Sequence, residues 1–254
     1  MNRKVAYFLI ILSSMSLAFV LKPARSIDKG FAIVELFTSE GCSSCPPADV
    51  LLAKIEKESK NKPIYLLAYH VDYWDKLGWK DTFSNPKNSA RQSQYANWLN
   101  LNTVYTPQII VNGSKEFVGS QENTLRSAIS SALSEQQSNT LEVTVEKQNS
   151  GSLSLSYRTG KSSPVFNLVV ALVSPTATNK IARGENRGRI LSHVQIVRRF
   201  ESFKMNGKEN GSVNFSLEKE DLNDEAEVIA FLQNVKNGKI AAVTKLKIKA
   251  PSIN

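Results

Sequence analysis

The hydrophobic pattern of this chain changes once, near residue 138, and that change limits the folds open to it. From residue 30 to about 136, strand-like runs alternate with amphipathic helical ones. FAIVELFT (31–38) and PIYLLAYHV (63–71) are apolar and β-branched enough for buried strands. PADVLLAKIEKESK (47–60) places Val50, Leu51, Ala53 and Ile55 among Lys and Glu, the mark of an amphipathic helix. SNPKNSARQSQYANWLN (84–100) reads as a polar helix with Tyr95, Trp98 and Leu99 on one side. PQIIVNGSKEFVG (107–119) reads as a hairpin turned by Asn112-Gly113. SQENTLRSAISSALSEQ (120–136) opens on Ser120, a candidate N-cap, and carries Leu125, Ile129, Ala132 and Leu133 at helical spacing. Strands alternating with helices predict a sheet with a parallel part covered by helices.

Beyond SEQQSN (134–139) the texture becomes one of short alternating runs punctuated by Gly and Asn. Roughly seven strands at turn-separated intervals predict a small β-sandwich. The expected organisation is therefore a signal segment (1–26), an α/β domain (27–137) and an all-β sandwich-like domain (138–254). A hydrophobic fraction of 41% and a charged fraction of 22% exclude wholesale disorder.

The N-terminus has the layout of a secretory signal: Arg3 and Lys4, an apolar run from Val5 to Leu21, then small residues. Export, most simply to a periplasm, is expected, with cleavage leaving no stable membrane insertion. An uncleaved anchor is the alternative, since the run is at the short edge of a spanning helix. The formal charge of +9 falls once this segment is removed, to 28 basic against 23 acidic residues. The remaining basic spots are scattered and form no stripe interleaved with aromatics, so nucleic-acid binding is not expected.

Both cysteines of the chain, Cys42 and Cys45, sit three apart in ELFTSEGCSSCPPADVLLAKIEK (35–57), between an apolar strand and a helix. A thiolate at a helix N-terminus is favoured by the dipole, and only the thiolate attacks disulfides. Cys42 would attack and Cys45 would resolve the mixed disulfide. Three features temper the acidity expected of Cys42. Pro46 and Pro47 lack N–H groups, Ser43 and Ser44 carry no positive charge, and Glu40 works against a thiolate. Two other readings stay open: a soft-metal site, such as copper, made by Cys42, Cys45 and His70, and a fixed structural disulfide. A loop this short gains little stability from closure. No cofactor is expected.

Strand, Cys-x-x-Cys, helix, strand and a later Thr-Pro opening a hairpin strand resemble the thioredoxin-like superfamily. The resemblance implies that Pro107 in VYTPQIIVNG (104–113) is a cis-proline facing the cysteines, and that the Thr106 backbone pairs with an extended substrate. LFTSEGCSSCPPAD, HVDYWDKLGWKD, ARQSQYA, YTPQIIVNG and RGENRGRILSH are similar to one family of exported bacterial thioredoxin-like proteins catalogued as a domain of unknown function. That likeness spans nearly the whole mature chain but supplies no substrate. The fold class expected is thus an α/β thioredoxin-like domain followed by an all-β sandwich-like domain.

If 63–71 runs parallel to 31–38, its C-terminal end brings YHVDYWDKLGWKD (69–81) to the same sheet edge as the cysteines. His70 is then a candidate for moving protons and Asp72 for a buried acceptor serving Cys45. Arg91 and Gln92 are read as a solvated helix face. Glu185, Asn186 and His193, in RGENRGRILSHVQIVRRF, are read as a turn leading into a strand, without chemistry. The function expected is thiol–disulfide exchange with protein or small-molecule thiols and disulfides, its direction and partner protein unspecified.

Overall fold

The computed structural model describes residues 30–137, 139–149, 151–160, 165–218 and 225–249. The expected signal segment lies outside them. Every helix and strand expected between 30 and 136 is present. β1 (Ala32–Thr38) leads through the cysteine loop into α1 (Pro46–Glu58), then β2 (Ile64–His70), α2 (Pro86–Leu99), β3 (Gln108–Val111), β4 (Lys115–Val118) and α3 (Glu122–Ser134). β1 and β2 are parallel, with Thr38 opposite His70. α1 begins at Pro46, where a missing N–H costs no helical bond. Ser120 does not cap α3; Gln121 holds that position and makes no side-chain cap.

Among the described residues seven strands follow: β5 (Leu141–Gln148), β6 (Ser152–Thr159), β7 (Phe166–Lys180), β8 (Ile190–Lys204), β9 (Asn210–Ser216), β10 (Glu225–Asn234) and β11 (Ile240–Lys249). Their arrangement overturns the expected architecture. β5, β6 and β9 form a three-stranded sheet, but β7, β8, β10 and β11 continue the first sheet, giving eight strands in the order β11-β10-β7-β8-β2-β1-β3-β4. The molecule is mostly β around one large mixed sheet, not an α/β thioredoxin-like domain followed by a separate sandwich. The junction is a parallel contact between β2 and β8 at Ala68 and Ile196. Beside it, Gln195 adopts a left-handed backbone (φ 53°) within an irregular stretch of β8.

Physically, β8 covers the open edge of β2, an edge that a free-standing first half would leave with unpaired backbone groups. Alternation then divides the core. Ala32, Val34 and Leu36 pack with α1 and α3. Ile33 and Phe37 pack with Tyr95 of α2 and with Val169, Ala171, Ile229 and Phe231 from the C-terminal half. The three-stranded sheet packs through Leu153, Leu155 and Phe215 onto Leu168, Val170, Val228 and Ala230. Side chains tie the halves further. Gln233 Nε2 donates to Tyr95 Oη (2.8 Å), and Trp98 Nε1 donates to the Val235 carbonyl (3.0 Å). None of the described helices is long and apolar enough to cross a membrane.

Candidate functional site

The parallel pairing of β1 and β2 carries the C-terminal ends of both strands to one edge of the sheet, and the cysteines lie there. Cys42 and Cys45 form a disulfide, with Cα atoms 5.5 Å apart, in the turn that enters α1. Both residues are fully buried, while Ser43 and Ser44 between them are exposed. Pro46 and Pro47 supply no N–H, and the next two amides, of Ala48 and Asp49, donate to the Cys45 carbonyl (2.9 and 3.2 Å). The first turn of α1 therefore offers no free amide to an anion.

The Thr106–Pro107 peptide bond is cis, as the resemblance implied. The Thr106 carbonyl lies 3.8 Å from Cys42 Sγ and accepts a hydrogen bond from Ser44 Oγ (3.3 Å). Ser44 Oγ is also 3.2 Å from Cys42 Sγ. Trp74 Nε1 donates to Thr106 Oγ1 (2.8 Å), fixing this segment from the loop after β2. Gly119 closes the back. A Cβ there would sit 3.0 Å from Pro107 Cβ and 3.2 Å from Ala48 Cβ, so the bare backbone lets proline and helix meet.

Beneath the pair lies a buried polar cluster that gathers both histidines of the chain. His70, at the end of β2, holds Asp81 through Nδ1 (2.7 Å), and the same Asp81 oxygen accepts the Glu40 amide (2.8 Å). Among the described residues the His70 Nε2 atom has no hydrogen-bond partner. The His193 ring, from β8, meets that of His70 edge-to-face at 4.7 Å. Its Nε2 lies 3.3 Å from Glu40 and its Nδ1 3.6 Å from Asp49. Neither contact closes a hydrogen bond, so the attraction is between charges. Asp49 also accepts from Thr38 Oγ1 (3.2 Å).

Each shift has a nameable cause. Burial would lower the His193 pKa, but Asp49 and Glu40 together push it up to about 10. Burial and Asp81 would raise Glu40, yet His193, Trp79 and Asn179 hold its carboxyl below the usual range. Burial would also raise Asp81, which His70 and the Glu40 and Phe83 amides hold low.

The segment read as an idle turn is part of this site. It connects β7 to β8 and lies over the cysteine loop. Asn186 Nδ2 donates to both the Glu40 and Cys42 carbonyls (2.8 and 2.9 Å), and Glu185 Oε2 accepts the Ser43 amide (3.0 Å). Asn179 Nδ2 and Trp79 Nε1 donate to the two Glu40 oxygens (2.7 and 2.9 Å). Of the residues expected at the site, Cys42, Cys45, Thr106 and Pro107 lie together, and His70 belongs to the cluster beneath. Asp72 is half-buried, and its carboxylate is engaged by Ser89 of α2. The solvated face expected at Arg91 and Gln92 does not exist, for both are buried. Among the described residues, no group of three or more His, Cys, Asp or Glu side chains is arranged to hold a metal ion.

A family model described as a protein of unknown function, DUF1223, matches residues 33–233. The chain belongs to this family. The DUF1223 match runs across both halves of the eight-stranded sheet and includes Cys42, Cys45, His70 and His193. No curated protein matches the chain. A crystal structure of an Agrobacterium tumefaciens protein is similar over 88% of this chain and 96% of its own, at 24% identity and a TM-score of 0.64, a likeness of fold. A domain of an outer membrane lipoprotein from Porphyromonas gingivalis aligns over 44% of this chain and 89% of its own, at 14% identity. Its TM-score of 0.27 is too low for a shared fold to follow.

Glu40, Asp49, Asp81, Glu185, Asn186 and His193 are the site residues that sequence reasoning missed. In the sequence Glu40 shows only a charge near Cys42. Asp49 had a usable signal: it stands one helical turn after Cys45 on an otherwise apolar helix face. His193 had none, because its place depends on the pairing of β8 with β2.

Proposed function

We propose that this DUF1223 protein is a thiol–disulfide oxidoreductase, with the Cys42–Cys45 pair as its redox centre. The observation that carries the reading is the position of Cys42 Sγ, between the Ser44 hydroxyl and the carbonyl that precedes cis-Pro107. An extended substrate can pair with that backbone and bring its sulfur towards Cys42. In the reducing direction the Cys42 thiolate attacks one substrate sulfur, and the other leaves as a thiolate. Cys45, losing its proton, then attacks Cys42 Sγ and releases the second substrate thiolate. Two electrons pass from the protein dithiol to the substrate disulfide, and the two thiol protons end on the substrate. The oxidising direction is the reverse. Export through the N-terminal segment belongs to this proposal, since a disulfide persists in an oxidising compartment.

One observation favours a second reading. Both cysteines are fully buried under Asn186 and the β7–β8 connection, as suits a structural disulfide. A single measurement separates the two: the reduction potential of the pair, equilibrated in glutathione buffers with thiols trapped by alkylation. A redox centre is expected between about −120 and −270 mV. A value below about −300 mV would mark a structural disulfide and end the catalytic reading.

A further inference from the structure

We infer that His193 is the positioning residue of the redox pair: an imidazolium from the C-terminal half that balances two buried carboxylates flanking the cysteines, and so sets how readily the pair is reduced. The inference rests on the oxidoreductase reading above and adds what regulates that site.

The geometry carries it. Both ring nitrogens of His193 face a carboxylate, Glu40 on one side and Asp49 on the other. Only the doubly protonated ring presents a donor to each, which agrees with the raised His193 pKa. Those two carboxylates bracket the pair along the chain. Glu40 precedes Cys42 by two residues, and the Asp49 amide donates to the Cys45 carbonyl from one helical turn on. Positions four apart on a helix have Cβ atoms about 5–6 Å apart, so Asp49 and Cys45 are neighbours on one side of the first turn.

The groups facing this point from the surrounding elements are Glu40 from the cysteine loop, Asp49 from α1, His70 from β2 and Asp81 from the loop after it. Asn179 from β7 contributes an uncharged amide. The usual supports of a thiolate are weak here. The first turn of α1 has no free N–H, and no cation stands between the cysteines. His193 is the ring that faces both Glu40 and Asp49, the two carboxylates on either side of the pair in sequence.

The sign of the effect is its test. Removing the cation with His193→Asn leaves two buried carboxylates unbalanced. A thiolate beside them is then harder to form, and the disulfide harder to reduce. Removing an anion with Asp49→Asn acts the opposite way. The measurement is the equilibrium constant of the full chain with glutathione, with the Cys42 thiolate pKa followed by its ultraviolet absorbance. H193N is expected to favour the oxidised protein about tenfold or more, which is about 30 mV for a two-electron couple, and to raise the thiolate pKa. D49N is expected to move both quantities the other way. A merely structural role would give both variants one sign, and that result overturns the inference. So does a change under about twofold in a folded H193N protein, against a tenfold expectation. If H193N does not fold, D49N alone decides, and an unchanged potential overturns the inference. A wild-type protein that exchanges with glutathione but ignores both substitutions sinks the inference alone. A wild-type pair too stable to exchange sinks the oxidoreductase reading with it.

Discussion

Two buried polar networks join the halves of this molecule, and they are built differently. In the first, on the α2 side of the sheet, Arg91 grips Glu35 with two hydrogen bonds (2.6 and 2.9 Å). Arg91 also donates to Tyr95 and Gln233, and Gln233 passes on to Tyr95 and the Gly238 carbonyl. The guanidinium lies over the rings of Tyr69, Tyr95, Phe200 and Phe231 at 5.1–5.5 Å. In the second network, under the cysteines, one ring nitrogen of His70 and both of His193 lack a closed hydrogen bond. A satisfied buried network rigidifies a fold. Unsatisfied groups carry a desolvation cost and call for another reason to be retained. Beside the first network the Tyr69 hydroxyl alone lacks a partner among the described residues, against three ring nitrogens in the second, and on that difference we read the first as architecture and propose chemistry for the second.

The largest effect expected from that contrast is in the first network. Glu35→Ala strands a buried guanidinium and is expected to cost about 3–5 kcal/mol in denaturant unfolding. Replacing Glu35 and Arg91 together by Leu and Met removes both charges. It is expected to recover most of the loss, because a desolvated pair contributes little net stability. A double variant no better than the single one would show that the network does more than join the halves.

The second network is expected to show itself in pH dependence. The His193 pKa is raised to about 10 from an ordinary 6.5. The stability it contributes is therefore fully present below pH 6.5 and fades as pH rises through 10. The unfolding free energies of wild type and His193→Asn should differ by on the order of a few kcal/mol near neutrality, and converge by about pH 10. Glu40, whose pKa is lowered, acts in the other sense. Its contribution is present above its ordinary 4.5 and is lost as pH falls through the depressed value. A wild-type minus variant difference that stays flat from pH 6 to 10 would mean the His193 proton is not held by its carboxylates, and the contrast between the networks would weaken.

The same contrast marks what was legible beforehand. Local features were readable: apolar runs gave β1 and β2, Asn112-Gly113 gave the β3–β4 hairpin, and prolines fixed the start of α1. What failed was long-range. The seven later strands were visible as strands, but nothing local distinguishes β8, which joins β2, from β6, which does not. Arg91 looked like a solvated residue on a polar helix because its partner Glu35 lies 56 positions away, on a strand that otherwise reads as apolar. His193 and Asn186 reach the cysteine loop from more than 140 positions away in sequence. The cysteines themselves were legible because their chemistry is local: strand, pair and helix are contiguous.

The smallest effect should fall at the exposed rim of the second network, at Ser44. Its side chain is exposed and stabilises no packing, so Ser44→Ala is expected to change unfolding free energy by less than about 0.5 kcal/mol. Its hydroxyl nevertheless stands 3.2 Å from Cys42 Sγ and 3.3 Å from the Thr106 carbonyl. A hydroxyl has one proton to donate, so the carbonyl holds it in the disulfide form and a Cys42 thiolate competes for it once the pair is reduced. A hydrogen bond to a charged group is stronger than one to a neutral carbonyl, which favours the switch. Losing a net contribution of about 0.5–1 kcal/mol corresponds to exchange about two- to fivefold slower with a small disulfide. Stopped-flow thiol exchange on the reduced variant reads this directly. A slower rate at unchanged stability would separate chemistry from architecture at a single hydroxyl. An unchanged rate would leave Ser44 as a bystander and place the control of Cys42 wholly in the buried charges beneath it.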